Sequence, residues 1–209
     1  MSATLTAKQK IYDRIAQAYD LLDLPFEYGR YRPLRRQVFR GVRGAMLDAG
    51  VGTGRNMPFY PPDAQVVGVD LSAAMLARAA RRRDRLGVTA ELRRASVLDT
   101  GFAQNRFDVI AATFLFCVLD DADQHPALAE LARICKPGGE IRILEYAWPA
   151  SPVRQQIMRL WAPWVRWAYG ASFDRQTERY LAPAGLELVK IRPLYKDIIK
   201  LIVARPQKS

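Results

Sequence analysis

Ala45-Met-Leu-Asp-Ala-Gly-Val-Gly-Thr-Gly54 is the stretch that decides the fold. A short apolar run ends in Asp48, and glycines follow at alternate positions, Gly50, Gly52 and Gly54. The pattern predicts a buried strand that breaks into a tight turn ahead of a helix. Glycine has no Cβ, so such a turn can take positive φ and bring its backbone close to a ligand. Open α/β sheets bind ligands at the carboxyl ends of their strands, which is where Asp48 and the glycines fall. A plain strand–turn–helix connection needs neither the acid nor three spaced glycines, so a ligand is favoured.

Downstream, Pro61-Pro62-Asp63 stops a short helix. Gln65 to Val69 is a β-branched run ending in Asp70. Leu71-Ser72 opens a strong helix with Ser72 as its N-cap; Met75, Leu76, Ala79 and Ala80 form one side and Arg78, Arg81, Arg82, Arg83 and Arg85 the other. Further strands are expected at Val88–Ala95, Phe107–Thr113 and Glu140–Tyr146, with a helix at Asp123–Lys136 ended by Pro137-Gly138-Gly139. The strand at Phe107–Thr113 is very apolar and should be central, covered on both faces. A helix at Asp174–Leu181 and two strands near Leu186–Arg192 and Asp197–Ala204, paired as an antiparallel hairpin, close the chain. Strand and helix alternate from Ala45 onward, which predicts a doubly wound, mainly parallel α/β sheet.

Upstream, Ile11, Ile15, Ala18 and Leu22 recur at helical spacing within Leu5–Leu22, with Lys8, Lys10 and Arg14 marking a basic side. That helix reads either as a cap on the domain or as one lying in a membrane interface. Arg30 to Arg43 reads as a basic helix leading into the sheet, its arginines on a solvated face. All four tryptophans, Trp148, Trp161, Trp164 and Trp167, fall in one segment interleaved with Arg154, Arg159 and Arg166. Val153, Ile157, Leu160, Trp164 and Ala168 make a helical stripe there, with Pro163 expected to kink or split it. Tryptophan beside arginine suits a surface that is part apolar and part wet. The segment is therefore either a buried insertion over the site or a membrane-facing one. The chain divides into N-terminal amphipathic and basic helices at 1–44 and a main domain at 45–209 with a helical insertion near 148–181.

The totals narrow the class. The length of 209 residues suits one domain, and half of it is hydrophobic, enough for a sizeable core. No run of about 18 apolar residues suggests a membrane span, and no secretory signal is expected at the N-terminus. Cys117 and Cys135 sit in apolar segments without metal-ligand spacing, which suits a reduced setting. His125 is the sole histidine, so mechanisms that need a histidine pair are disfavoured. Asp120, Asp121 and Asp123 read as a solvated loop and helix cap, and no metal is expected. The net charge of +11 favours nucleic acid, acidic membranes or acidic small molecules without choosing among them.

A dinucleotide turn is Gly-x-Gly-x-x-Gly, and a P-loop carries Gly-Lys-Ser/Thr; neither occurs here. Asp70 follows the first glycine closely enough to accept hydrogen bonds from both hydroxyls of a ribose. The run Asp48-Ala-Gly-Val-Gly-Thr-Gly54, with Asp70 and Cys135-Lys-Pro-Gly-Gly139, resembles the motifs of class I S-adenosylmethionine-dependent methyltransferases. The resemblance covers residues 45 to 204. It implies a Rossmann-like, seven-stranded, mainly parallel sheet with helices on both faces and an antiparallel last strand. It also implies S-adenosyl-L-methionine as cofactor and S-adenosyl-L-homocysteine as product. Carried onto this chain, Gly50, Gly52 and Gly54 would lie under the methionine part, Asp48 would orient its ammonium directly or through water, and Asp70 would hold the ribose. Leu71 and Met75 would flank the adenine, with Ser96 and Val97 where relatives place an adenine-binding acid; Asp99 is a nearby substitute. Thr113 and Phe114 would line the pocket near the sulfonium.

Tyr12 to Phe26, Thr113 to Leu119 and Tyr169 to Arg175 resemble bacterial phospholipid N-methyltransferases and, less closely, quinone C-methyltransferases and membrane-associated thiol methyltransferases. The resemblance implies stepwise methylation of phosphatidylethanolamine towards phosphatidylcholine. Tyr19, Glu145 and Tyr146 are then the candidates that act on the amine. Tyr28, Arg30, Arg166, Tyr169 and Tyr180 are candidates for the headgroup, with Arg32 a further choice for phosphate. The expected partner is an anionic membrane surface rather than nucleic acid, for a monomer that is cytoplasmic and peripheral to the inner face. The alternative is methylation of a lipophilic small molecule at a quinone carbon or a thiol.

Overall fold

The computed structural model describes residues 27–173 and 175–207. The expected helix at Leu5–Leu22, with Tyr19, lies outside the described residues. Seven strands form one sheet: β1 (Gly44–Ala49), β2 (Ala64–Asp70), β3 (Glu91–Arg94), β4 (Phe107–Thr113), β5 (Cys135–Tyr146), β6 (Leu186–Tyr195) and β7 (Ile199–Pro206). Their order is β3-β2-β1-β4-β5-β7-β6. Pairing is parallel from β3 through β5, and β7 runs antiparallel to both β5 and β6. The architecture is thus the Rossmann-like α/β sheet expected, with an antiparallel last strand.

Side-chain alternation along the strands gives the sheet two buried faces. Leu47, Ala49, Ile110, Ala112, Ile141, Ile143 and Ile202 point to one core, which the helix α3 (Asp121–Ile134) covers with Ala127, Leu128, Leu131 and Ile134. Met46, Val109, Ala111, Leu144, Leu201 and Val203 point to the other, which α1 (Arg32–Phe39) covers with Leu34, Val38 and Phe39. The Arg142 guanidinium, rising from β5, donates to the carbonyls of Val38 and Arg40 and ties down the end of α1. Helix α2 (Ala73–Leu86) starts at Ser72, whose hydroxyl accepts from Met75 N–H, and ends at Gly87 in the left-handed conformation.

Several expectations shift. The basic helix occupies only Arg32–Phe39, preceded by a π-helical turn at Glu27–Tyr31. The helix after the glycine turn is a single 3₁₀ turn, Met57–Phe59. The third strand contracts to Glu91–Arg94. Helix α3 stops at Ile134, and Cys135 already pairs with Phe107, so Pro137-Gly138-Gly139 lies within an irregular start of β5 rather than before it. Helix α4 (Pro152–Tyr169) runs unbroken through Pro163. The helix expected at Asp174–Leu181 is only a 3₁₀ turn, Thr177–Tyr180.

Candidate active site

A cavity of about 420 Å³ opens at the carboxyl ends of β1, β2 and β4. Its floor is the glycine turn, Gly50 to Thr53, with Asp70, Leu71, Ser72 and Met75 on one side and Ala95, Ser96 and Val97 beyond them. Thr113, Phe114 and Leu115 follow from β4 and Tyr146 from β5. Arg30 and Tyr31 come from the π-helical turn, Arg35 from α1, and Ile157, Met158, Trp161, Trp164 and Val165 from α4. The cavity therefore lies between the sheet and the helices α1 and α4.

The glycines divide their work. Gly52, at φ +53°, lines the cavity, and a Cβ there would meet nothing nearer than Gly50 O at 4.0 Å. Its N–H donates to Asp70 Oδ2 at 2.9 Å, while Ser72 N–H donates to Oδ1 at 2.9 Å. Two backbone donors thus fix the Asp70 carboxylate on the wall, where it faces the cavity. Gly54 is not on the wall. A Cβ there would lie 2.8 Å from the Met57 side chain and 3.4 Å from Ala79 Cα, so this glycine lets the turn pack against α2 and does not face a ligand.

Of the two routes open to Asp48, direct contact is closed, because it does not line the cavity. It is fully buried, and Asn56 Nδ2 donates to both of its oxygens while Tyr60 O–H donates to Oδ2. Burial pushes its pKa up to about 6 despite these bonds. Asn56, not Asp48, lines the cavity. Arg35 donates to Asn56 Oδ1 and Thr113 Oγ1, both at 3.0 Å, and is only 7% exposed. Asp48 thus acts on the wall through Asn56, and Arg35 is the buried cation bonded to that amide. The i+3 and i+4 spacing of Val38 and Phe39 from Arg35 places it on the buried face of α1, a signal that could have separated it from the other arginines of that segment.

Glu145 is fully buried and off the wall. Its Oε2 accepts from Cys117 N–H and its Oε1 from Tyr146 N–H, both at 2.8 Å. Burial pushes its pKa up to about 7. It cannot touch an acceptor; it clamps the loop Phe114–Cys117 to the end of β5. Tyr146 is on the wall, its hydroxyl 2.8 Å from that of Tyr31. Burial holds its phenol well above the usual range, so it stays protonated and works as a hydrogen-bonding group. Tyr180 is half-buried against the α3 face of the core and absent from the wall, because its 3₁₀ turn docks there. Arg30 lies on the wall, its guanidinium 4.5 Å from the Tyr195 ring centroid. The side chains of Tyr28, Arg166 and Tyr169 lie outside the described residues. Asp99 is exposed and off the wall, whereas Ser96 and Val97 line the cavity. Tyr31, Arg35, Asn56 and Phe173 are wall residues that sequence reasoning did not select.

The donor set fits S-adenosylmethionine. An open glycine faces the cavity, an anchored carboxylate suits a ribose, Leu71, Met75 and Val97 suit an adenine, and the buried Arg35 cation suits a carboxylate. Among the described residues no cluster suited to a metal occurs.

Comparison with known proteins agrees with this geometry. Residues 46–139 match a family described as "Methyltransferase domain". A phosphatidylethanolamine N-methyltransferase of Cereibacter sphaeroides is 31% identical over 193 residues, covering 87% of this chain and 92% of the relative. A ubiquinone/menaquinone biosynthesis C-methyltransferase of Syntrophotalea carbinolica is 32% identical over 190 residues, covering 87% and 79%. Among solved structures, a geranyl diphosphate C-methyltransferase of Streptomyces coelicolor superposes with a TM-score of 0.68 at 19% identity, covering 84% of this chain and 79% of that one. At that identity the likeness is one of fold.

Proposed function

Because this chain belongs to the class I S-adenosylmethionine-dependent methyltransferases, we propose that it methylates the amine of phosphatidylethanolamine, stepwise towards phosphatidylcholine, at an anionic membrane surface. One observation carries the proposal. Ile157, Trp161 and Trp164 of α4 line the cavity, yet they belong to an outward apolar stripe in which Leu160 is 79% exposed. An acceptor whose polar head enters the cavity would leave its chains along that stripe. Arg159, exposed on the same helix, suits anionic headgroups, and tryptophan suits the interface itself. No described helix is long and apolar enough to cross a membrane, so contact would be from one side.

S-adenosylmethionine, when bound, supplies an electrophilic methyl group on a sulfonium. The residues of this chain then act by placement. Asp70 and the turn at Gly50–Thr53 hold the cofactor, and the Tyr31–Tyr146 hydroxyl pair orients the acceptor from the opposite wall. Alignment at near-contact distance supplies most of the acceleration. The apolar wall of α4 disfavours the charged form of an entering amine, easing loss of its proton to water at the mouth. Arg30 offers a cation to the lipid phosphate.

A second reading, carbon methylation of a membrane quinol, is favoured by the Syntrophotalea relative and would use the same apolar mouth. The two separate in one assay: purified protein with labelled S-adenosylmethionine and anionic vesicles holding either phosphatidylethanolamine or a demethylated quinol. Label in the phospholipid headgroup is expected; label in the quinol alone overturns the proposal. In flotation the protein should rise with the anionic vesicles and stay behind with neutral ones.

A further inference from the structure

Four aromatic rings, brought from four separate segments, form a row on the cavity wall. Tyr31 and Phe114 have centroids 5.0 Å apart, Phe114 and Tyr146 5.1 Å, and Tyr146 and Phe173 4.9 Å. The two ends of the row differ. At one end the Arg35 guanidinium lies 5.3 Å from the Phe114 centroid, held in place by Asn56 and Thr113. That ring already serves a cation. At the other end the planes of Tyr146 and Phe173 stand 81° apart in a T-shaped contact, so a right-angled corner opens where the edge of one ring meets the face of the other. Among the described residues no lysine or arginine side chain sits over either ring. The Glu145 carboxyl group accepts from the backbone N–H groups of Tyr146 and Cys117.

We propose that the Tyr146–Phe173 corner is the seat of a methylated ammonium group. Ring faces attract a cation within about 6 Å of the centroid, and two faces near a right angle can both meet one tetrahedral ammonium. Methyl groups make the cation larger and less hydrated, so each transfer would improve the fit. The corner would then hold a partly methylated headgroup between transfers, each of which still begins with loss of a proton to water at the mouth. This inference rests on the amine-acceptor reading above.

The test uses titration calorimetry on the whole protein saturated with S-adenosyl-L-homocysteine. The probes are phosphocholine and 3,3-dimethylbutyl phosphate, which have the same shape but differ in carrying nitrogen or carbon at the branch. Phosphocholine should bind about tenfold more tightly. Phe173→Leu should shrink that gap to about threefold or less, and Phe173→Trp should keep or widen it, since indole is the best ring for a cation. The readout is a ratio within one protein, so partial unfolding lowers both affinities together and cannot close the gap. Equal affinities in the unsubstituted protein, or an unchanged ratio in Phe173→Leu, would overturn the inference. A protein that labels the phospholipid amine but binds both probes equally loses the corner and keeps the amine reading. One that prefers phosphocholine but labels only quinol loses the amine reading instead.

Discussion

The two ends of the sheet carry acids on neighbouring strands and treat them in opposite ways. At the amino-terminal edge, Asp108 of β4 accepts from Lys136 Nζ at 2.8 and 2.9 Å and from Ala45 N–H at 2.8 Å. The Lys136 bond comes first among the causes that hold its carboxyl below the usual range. Glu140 of β5 is held low by Arg205 and then Arg142. At the carboxyl-terminal edge, Asp48 of β1 and Glu145 of β5 are sealed from water and accept from amides, hydroxyls and backbone N–H groups, while burial drives their pKa values to about 6 and about 7. One edge keeps charges neutralised by cations near solvent, where they do little beyond fastening strands. The other spends stability on acids that fix the shape of a cavity wall. Between these extremes stands Asp70, bonded by two backbone N–H groups and facing the cavity.

The sharpest break in that contrast is Asp70→Ala. Two charge-assisted hydrogen bonds to a ribose, each worth about 1.5–3 kcal/mol, should vanish, and cofactor affinity should fall on the order of a thousandfold. Calorimetric titration with S-adenosylmethionine measures it. A loss of under about tenfold, close to 1.4 kcal/mol, would mean that the carboxyl edge is built for structure like the other.

The buried acids make a second, pH-dependent prediction. Glu145 titrates near 4.5 when unfolded and about 7 when folded, so between those values the folded protein binds more protons than the unfolded one. Stability should therefore be highest at the acid end of that window and decline as pH rises through about 7. Asp48 adds a decline between 3.8 and about 6. The full Glu145 effect is about 3 kcal/mol. Chemical denaturation at pH 5 and pH 8 should show this fall, and Glu145→Gln, which cannot ionise, should flatten it. A profile that rises from pH 5 to 8 would show that the acid is not buried in the folded protein.

How far these roles can be read from the sequence follows from how local each cause is. Strands β1 and β4 are visible as apolar runs, because burial on both faces is written in each residue. Asp48 and the glycines are visible as a turn. That Asp48 faces inward is not, since the cause is Asn56 and Tyr60 folding back over it. Gly54 looks like its neighbours, and only the approach of Met57 and Ala79 gives it a different purpose. Arg35 is hidden among similar arginines until Val38 and Phe39 fix which side of α1 is buried. The Tyr146–Phe173 corner has no local signal at all: its residues come from the end of β5 and the loop after α4, and their meeting depends on the course of the intervening chain. Arrangements that need two distant segments are the ones periodicity cannot supply.

The smallest effect expected is at the amino-terminal edge, in Lys136→Met. The Lys136 and Asp108 side chains are each 40% exposed, so water and salt screen their attraction. Exposed pairs contribute less than about 1 kcal/mol, and Asp108 keeps its bond from Ala45 N–H. The loss should shrink further in concentrated salt. It should also have the opposite pH sense to that of Glu145. An acid held below its unfolded value of 3.8 stabilises the fold above that pH and loses its contribution as pH falls through the folded value. Lys136→Met should therefore weaken the protein slightly at neutral pH and leave it equal to the unsubstituted protein in strong acid, as denaturation curves at the two pH values would reveal. A cost of about 3 kcal/mol that ignores salt would place this pair with the buried acids, and the contrast between the two edges would then lie in their neighbours rather than in their access to water.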